Sequence, residues 1–189
     1  MPRLIPAFLI ACRFVLGPLL LLAALEGRAE VWFGPGLAAA VASDIFDGVI
    51  ARRLGVATAR LREADSWVDN WFCLCIAASA WLAHRRDVVA LAPLIAAWLL
   101  TDWLALGFDW LKFRRFAAYH ALSSKLAGLL LFAAVFALFV LGSRLLLGLA
   151  LGVAILSHLE RMAITALMPR WTPDIPSVRH ALKLKRTSP

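Results

Sequence analysis

Apolar residues run along this chain in six long blocks, each close to the roughly 20 residues a helix needs to cross a lipid bilayer. They cover residues 5–25, 34–53, 63–83, 88–108, 122–141 and 145–168. Short polar stretches separate them, and no stretch alternates with the period of two that marks strands. A backbone immersed in lipid must satisfy its own hydrogen bonds, which helices do and open sheets do not. The pattern therefore predicts an all-α, polytopic membrane protein: a bundle of six transmembrane helices forming one domain over residues 1–189. The first block carries Arg13 in its interior and lacks a small-residue cleavage site before the next polar stretch. It reads as a retained helix and not as a signal peptide.

Composition supports the membrane reading. Hydrophobic residues make up 62% of the chain, against about 45–50% in ordinary soluble domains, so lipid must cover the excess. Lys and Arg total 20 against 12 acidic residues, a formal net charge of +8. A basic excess suits nucleic acid or anionic lipid. No basic patch is interleaved with aromatic platforms, so membrane lipids are the expected partner and nucleic acid is not. Placing the N-terminus in the cytoplasm puts Arg3, Arg52, Arg53, Arg60, Arg62, Lys112, Arg114, Arg115 and the basic tail on that side. The opposite side then keeps Arg28, Arg85, Arg86 and Arg144. That asymmetry predicts that both termini are cytoplasmic, and the Ala/Leu/Arg-rich usage suggests a bacterial inner membrane. Trp32, Trp81, Trp103, Trp110 and Trp171 fall near span ends, as in an interfacial aromatic belt. Cys12, Cys73 and Cys75 lie in apolar runs without zinc spacing, so neither a disulfide framework nor a zinc site is expected. In the tail, Val178, Ala181, Leu182 and Leu184 interleave with Arg179, Lys183, Lys185 and Arg186. Two readings stand open there: a short basic helix on the anionic leaflet, or a solvated end.

The chemistry is concentrated between residues 43 and 70, which read SDIFDGVIARRLGVATARLREADSWVDN. Asp44 and Asp47 are three apart at the end of the second block, and Asp65 and Asp69 four apart at the start of the third, so each pair shares a helix face. The short basic connection makes the two helices antiparallel neighbours, which brings both pairs to one depth near the cytoplasmic surface. Four carboxylates so close repel, and divalent cations remove the conflict. An all-oxygen ligand set suits Mg²⁺, Mn²⁺ or Ca²⁺. Gly48 leaves room for a ligand, Ala51 is small, and Arg52, Arg53, Arg60 and Arg62 add positive charge. Metal ions beside such a basic loop point to a phosphate substrate and in-line displacement at phosphorus.

This stretch resembles the signature of the CDP-alcohol phosphatidyltransferase family: DxxDGxxAR, eight residues, then GxxxDxxxD. Asp44, Asp47, Gly48, Ala51, Arg52, Asp65 and Asp69 stand at the matching positions, and Leu61 stands where the family usually has Gly. Upstream, Pro6 and Arg13 match part of the family's opening segment. The resemblance implies a six-helix membrane enzyme with its site on the cytoplasmic side, two Mg²⁺ or Mn²⁺ ions, a CDP-activated lipid donor such as CDP-diacylglycerol, and an alcohol acceptor. It implies that Asp44, Asp47 and Asp65 hold metal, that Asp69 holds metal and acts as catalytic base, and that Gly48, Ala51, Arg52 and Thr58 line the CDP moiety. Many relatives are dimers, which makes a homodimer an expectation.

Arg13, Arg115 and Lys125 are candidates for the acceptor; Arg115 and Lys125 serve equally as ordinary flanking charge. Glycerol 3-phosphate is the favoured acceptor because those cations suit an anion. Asp102 and Asp109 could line an acceptor cavity or pair with nearby cations. Two rival functions remain open: a non-catalytic relative that keeps CDP-lipid and metal binding, and a membrane transporter. Clustering of the acids at one end of the helices argues against transport, which needs polar groups spread along a path.

Overall fold

The computed structural model describes residues 4–53, 58–115, 119, 121–172 and 175–187; the side chains at positions 4, 44, 45, 47, 48, 51, 52, 59, 60, 62, 66 and 185–187 lie outside that description. Every regular element among the described residues is a helix. They are α1 (Leu4–Leu25), α2 (Ala29–Arg53), α3 (Ala59–Ala83), α4 (Arg85–Ala90), α5 (Ala92–Phe113), α6 (Leu122–Leu141), α7 (Arg144–Leu167) and α8 (Val178–Thr187).

The apolar blocks and the helices coincide closely, with one informative shift. The fourth block was expected to be continuous from residue 88. Instead α4 ends at Ala90, and a new helix starts at Ala92 with Pro93 in its first turn. Proline lacks the N–H that an interior helical position donates and disfavours helical backbone just before it, but fits a first turn. The apolar pattern could not register this break because Leu91 and Ala92 are themselves apolar.

Among the described residues, four helices qualify as membrane spans by length and composition: Ile5–Leu25, Ala92–Phe113, Leu122–Leu141 and Arg144–Leu167. The expectation of six is thus met in four. Helices α2 and α3 are long enough at 25 residues each, but they carry the charges of residues 43–70. Leu22, Leu100, Leu129 and Leu149 are exposed on four of the long helices, as surfaces that face lipid would be. Lipid tails are as apolar as leucine, so close packing and polar contacts must hold such helices together.

The chain forms two compact units. The first comprises Met1–Val88 with Phe139–Gly142. Here, among the described residues, the extensive packing is of α1 with α2 and of α1 with α3. Helices α2 and α3, expected to be antiparallel neighbours, both pack against α1. On one side Leu20 meets Gly36 and Arg13 meets Ser43, so α1 and α2 run antiparallel. On the other, Phe14 stacks on Trp71 at 5.7 Å, and Gly17 sits 3.3 Å (from its would-be Cβ) from the Cys75 side chain, so α1 and α3 run parallel. The buried Phe33 ring stacks on Phe139 with 3.6 Å between centroids, and His84 meets Phe139 edge-on at 4.9 Å; such aromatic pairs contribute about 0.5–1.5 kcal/mol each.

The second unit comprises Val89–Leu138 and Ser143–Pro189. Its backbone is the α5–α7 pair, with α8 folded onto the end of α7. Ile164 and Met168 from the end of α7 bury Ile175 and Ala181, with Phe113, Tyr119 and Val178 packed around them. The Leu122 amide donates to the Pro176 carbonyl at 3.2 Å, which ties the start of α6 to the segment leading into α8.

Glycine at position 36 is what lets α1 and α2 approach. A Cβ there would come within 2.6 Å of a Leu20 methyl, and Leu20 is itself buried. Overpacking of this kind costs about 1–3 kcal/mol. Gly36→Val is therefore expected to lower the thermal midpoint of the detergent-solubilised protein, and Leu20→Ala introduced into that variant should recover part of the loss. An unchanged midpoint in Gly36→Val would show that α1 and α2 are not held at this point.

Candidate active site

Arginine 13 lies inside the apolar face of α1 and is only 2% exposed. A guanidinium cannot be neutralised in practice, so a buried one must find acceptors. It finds them on α3, one helical turn apart. One Nη atom of Arg13 is 3.2 Å from Asp65 Oδ1 and also bonds Asp69 Oδ1. Its Nε reaches the Ser43 hydroxyl on α2 at 3.5 Å, while that hydroxyl donates to the Ala40 carbonyl at 2.7 Å. Three helices thus meet at one level. Asp65 and Asp69 keep 32% and 47% of their side-chain surface exposed, so the pair is open on the side away from Arg13.

Asp44, Asp47, Gly48, Ala51 and Arg52 are the expected site residues whose side chains lie outside the described residues; α2 itself runs through these positions. Ser43 fixes their level along the helix. Positions 44 and 47 follow it by one and four residues, within about 6 Å of rise, so they fall at or next to the level where Arg13 meets Asp65 and Asp69. Arg13, expected to reach the acceptor, is bonded here to two of the carboxylates. Thr58, expected at the CDP moiety, is the N-cap of α3: its hydroxyl accepts from the Leu61 amide at 3.2 Å, which leaves its O–H to donate elsewhere. Leu61 lies within regular helix, so its backbone has no need of the glycine usual in the signature.

A groove of about 470 Å³ opens beside this cluster. Phe8, Val15, Leu16 and Leu19 of α1 and Ala39 of α2 form its walls, and Arg13 and Ser43 line it too. The cavity is therefore apolar along most of its length and polar where it adjoins the carboxylates. Its volume lies within the roughly 300–1,000 Å³ of small-molecule sites.

A second polar network occupies the other unit. Asp109 on α5 is fully buried. It accepts from Arg161 Nε at 2.9 Å and Nη2 at 2.5 Å, and from the Thr165 hydroxyl at 2.6 Å. Thr165 Oγ1 also lies 3.2 Å from the Tyr119 hydroxyl. One turn or more deeper, His158 meets Thr101 Oγ1 at 3.2 Å, with Asp102 at 3.7 Å. Of the two aspartates that could line an acceptor cavity or pair with nearby cations, Asp109 pairs with Arg161 and Asp102 lies beside His158, both on the facing helix. Arg115 is exposed and stacks over Trp171 at 5.7 Å, and Lys125 is exposed on the first turn of α6. Both proposed acceptor cations belong to this second unit and Arg13 to the first.

The sequence model of the CDP-alcohol phosphatidyltransferases matches residues 3–165, from the start of α1 almost to the end of α7. The chain belongs to that family. No curated protein and no solved structure matches it. Membership makes the chain an integral membrane protein of the phospholipid-synthesis transferases, whose reaction moves a phosphatidyl group from a CDP-alcohol to an alcohol. The matched region contains both halves of the family's carboxylate signature and also Arg13, the residue that joins α1 to α3.

Tyr119 is the one tyrosine of the chain, so its ionisation can be read directly. Burial, with the Asp109 carboxylate nearby, raises its pKa above the ordinary value, outweighing the Thr165 hydroxyl and the Arg161 guanidinium, which act the other way. The folded state therefore favours the neutral phenol. The stability this contributes is fully present below the unfolded pKa of about 10 and is lost as pH rises through the higher folded value. Ultraviolet titration should show the phenolate forming at higher pH in the folded protein than after denaturation. Tyr119→Phe should flatten the alkaline loss of thermal stability; coincident folded and unfolded titrations would contradict the burial of this phenol.

Proposed function

We propose that the chain transfers a phosphatidyl group from CDP-diacylglycerol to an alcohol, releasing CMP, with two Mg²⁺ or Mn²⁺ ions held by Asp44, Asp47, Asp65 and Asp69. The observation that carries this reading is the convergence of Asp65 and Asp69 on one cation, the Arg13 guanidinium, at the level of α2 where the other half of the signature lies. Carboxylates that can share one cation suit a divalent ion, and an all-oxygen set suits Mg²⁺ or Mn²⁺. When bound, the ions would offset negative charge on the donor pyrophosphate and on the departing CMP.

The remaining steps fall to the chain's own groups. Asp69 accepts the proton of the acceptor hydroxyl as its oxygen attacks the phosphorus that carries the diacylglycerol. The new P–O bond forms as the bond from that phosphorus to the pyrophosphate bridge breaks, and CMP leaves with the bridging oxygen. Arg13 holds Asp65 and Asp69 in place and restrains Asp69 for this role. Gly48, Ala51, Arg52 and Thr58 line the CDP moiety. The groove between α1 and α2 supports a lipid donor over a water-soluble one, because an acyl chain fits its apolar walls while Arg13 and Ser43 lie at the polar end. Glycerol 3-phosphate is the proposed acceptor. In this reading α2 and α3 also cross the membrane, giving six crossings, with the carboxylates and both termini on the cytoplasmic side of a bacterial inner membrane.

The test is CMP release by the purified protein in detergent, supplied with CDP-diacylglycerol, Mg²⁺ or Mn²⁺, and a panel of alcohols. Metal-dependent release with one acceptor is expected. Loss of a general base costs about 10²–10⁴-fold, so Asp69→Asn should fall at least a hundredfold while the protein still inserts and folds. Full activity in that variant removes Asp69 from the reaction. Equal release with a CDP-alcohol that lacks acyl chains removes the lipid donor.

A further inference from the structure

The end of the second unit where α5 and α7 terminate separates its charges by direction. Helices α5 and α7 run parallel: Thr101 meets His158, Asp109 meets Arg161, and Lys112 Nζ donates to the Thr165 and Ala166 carbonyls at 2.8 and 3.0 Å. Both are long and apolar enough to cross a membrane, so their adjacent C-terminal ends mark one membrane–water boundary. The described carboxylates near this end turn inward. Asp109 is fully buried against Arg161 and Thr165, and Glu160 accepts from the Val178 amide at 3.2 Å, which fastens the start of α8. The cations turn outward: Arg114, Arg115, Arg170, Arg179 and Lys183 are all exposed.

Helix α8 shows the same division within ten residues. It contains no acidic residue. Ala181 is buried, with Val178 and Leu184 partly buried, against Ile164, Met168 and Ile175. Its apolar side is therefore already occupied by the protein. Arg179 and Lys183, four apart, share the opposite side. Leu182 lies beside them and is 41% exposed. Trp171, under the Arg115 guanidinium, has the character of an interfacial anchor.

We propose that this face is a docking surface for anionic phospholipid, with Arg179 and Lys183 on α8 as its principal contacts. The apolar side of α8 is buried in the protein, and its basic side is left at the level where two spans end. The occupant is identified by position and charge. Head groups are what lies at the end of a span, and each cation near an anionic leaflet contributes about 1 kcal/mol, or roughly fivefold in affinity. Docking α8 by its apolar side means that this surface reads head-group charge and does not depend on insertion of α8 into the acyl region.

Native mass spectrometry of the full chain in neutral detergent, titrated with phosphatidylglycerol or with phosphatidylcholine of the same acyl composition, tests this directly. The wild type should bind phosphatidylglycerol more tightly, and less so as salt is raised. Arg179→Gln with Lys183→Gln should weaken phosphatidylglycerol by up to about 25-fold, at roughly fivefold per charge, and leave phosphatidylcholine unchanged. The charge-preserving pair Arg179→Lys with Lys183→Arg should keep the preference. Equal binding of the two lipids by the wild type overturns the proposal, as does undiminished phosphatidylglycerol binding by the Gln pair. A preference lost in the charge-preserving pair also overturns it, because packing and not charge would then be responsible. Indifference to lipid together with nuclease-sensitive RNA on the purified protein overturns it in favour of a nucleic-acid surface.

Discussion

A buried guanidinium inside an apolar helix has to meet its counter-charge within the protein, because the hydrocarbon interior of a bilayer offers none. In the first unit that requirement organises the site. Arg13 of α1 is almost completely buried, and the groups that satisfy it come from two other helices: Asp65 and Asp69 from α3, Ser43 from α2. The apolar contacts on either side, Leu20 against Gly36 and Gly17 against Cys75, allow the backbones to come close enough for those bonds. The Phe14–Trp71 stack and the Gly17–Cys75 contact present the same face of α3 to α1, so packing and charge pairing agree on the rotation that turns both carboxylates towards Arg13.

The second unit solves the same problem with the signs exchanged. There the fully buried charge is Asp109, held by Arg161 and the Thr165 hydroxyl across the α5–α7 interface. Breaking such a pair by removing one partner typically costs about 3–5 kcal/mol, because the other charge is left buried. Lys112 caps the last carbonyls of α7 and Glu160 accepts from the first amide of α8. Each of these side chains satisfies a backbone group that a helix end leaves unpaired. Among the described residues, Asp109 and Glu160 are thus engaged within the protein, while Arg114, Arg115, Arg170 and Arg179 are exposed.

The signature positions illustrate how one residue can serve local structure and the site at once. Thr58 caps α3 and thereby fixes where that helix begins, seven residues before Asp65 and eleven before Asp69. Leu61 takes the third helical position, where any residue can adopt the required backbone. The departure from the usual glycine therefore changes the surface next to the site and not the path of the chain.

The sequence by itself determined the all-helical class, the approximate positions of the long helices and the family, which the match over residues 3–165 bears out. These are local properties: apolar periodicity and the spacing of residues three or four apart on one helix do not depend on what packs against what. It also missed the break at Pro93, because the flanking residues are apolar and the pattern is blind to backbone dihedral angles. Only the tertiary structure decided that α1 is the helix on which both α2 and α3 pack, that Arg13 meets Asp65 and Asp69, and that Asp109 belongs with Arg161. The partners in those pairs lie 52 and 56 residues apart in the chain. A charge in a membrane helix announces in the sequence that it needs a partner, but which partner it gets depends on helix rotation and neighbour choice, and those are settled by packing.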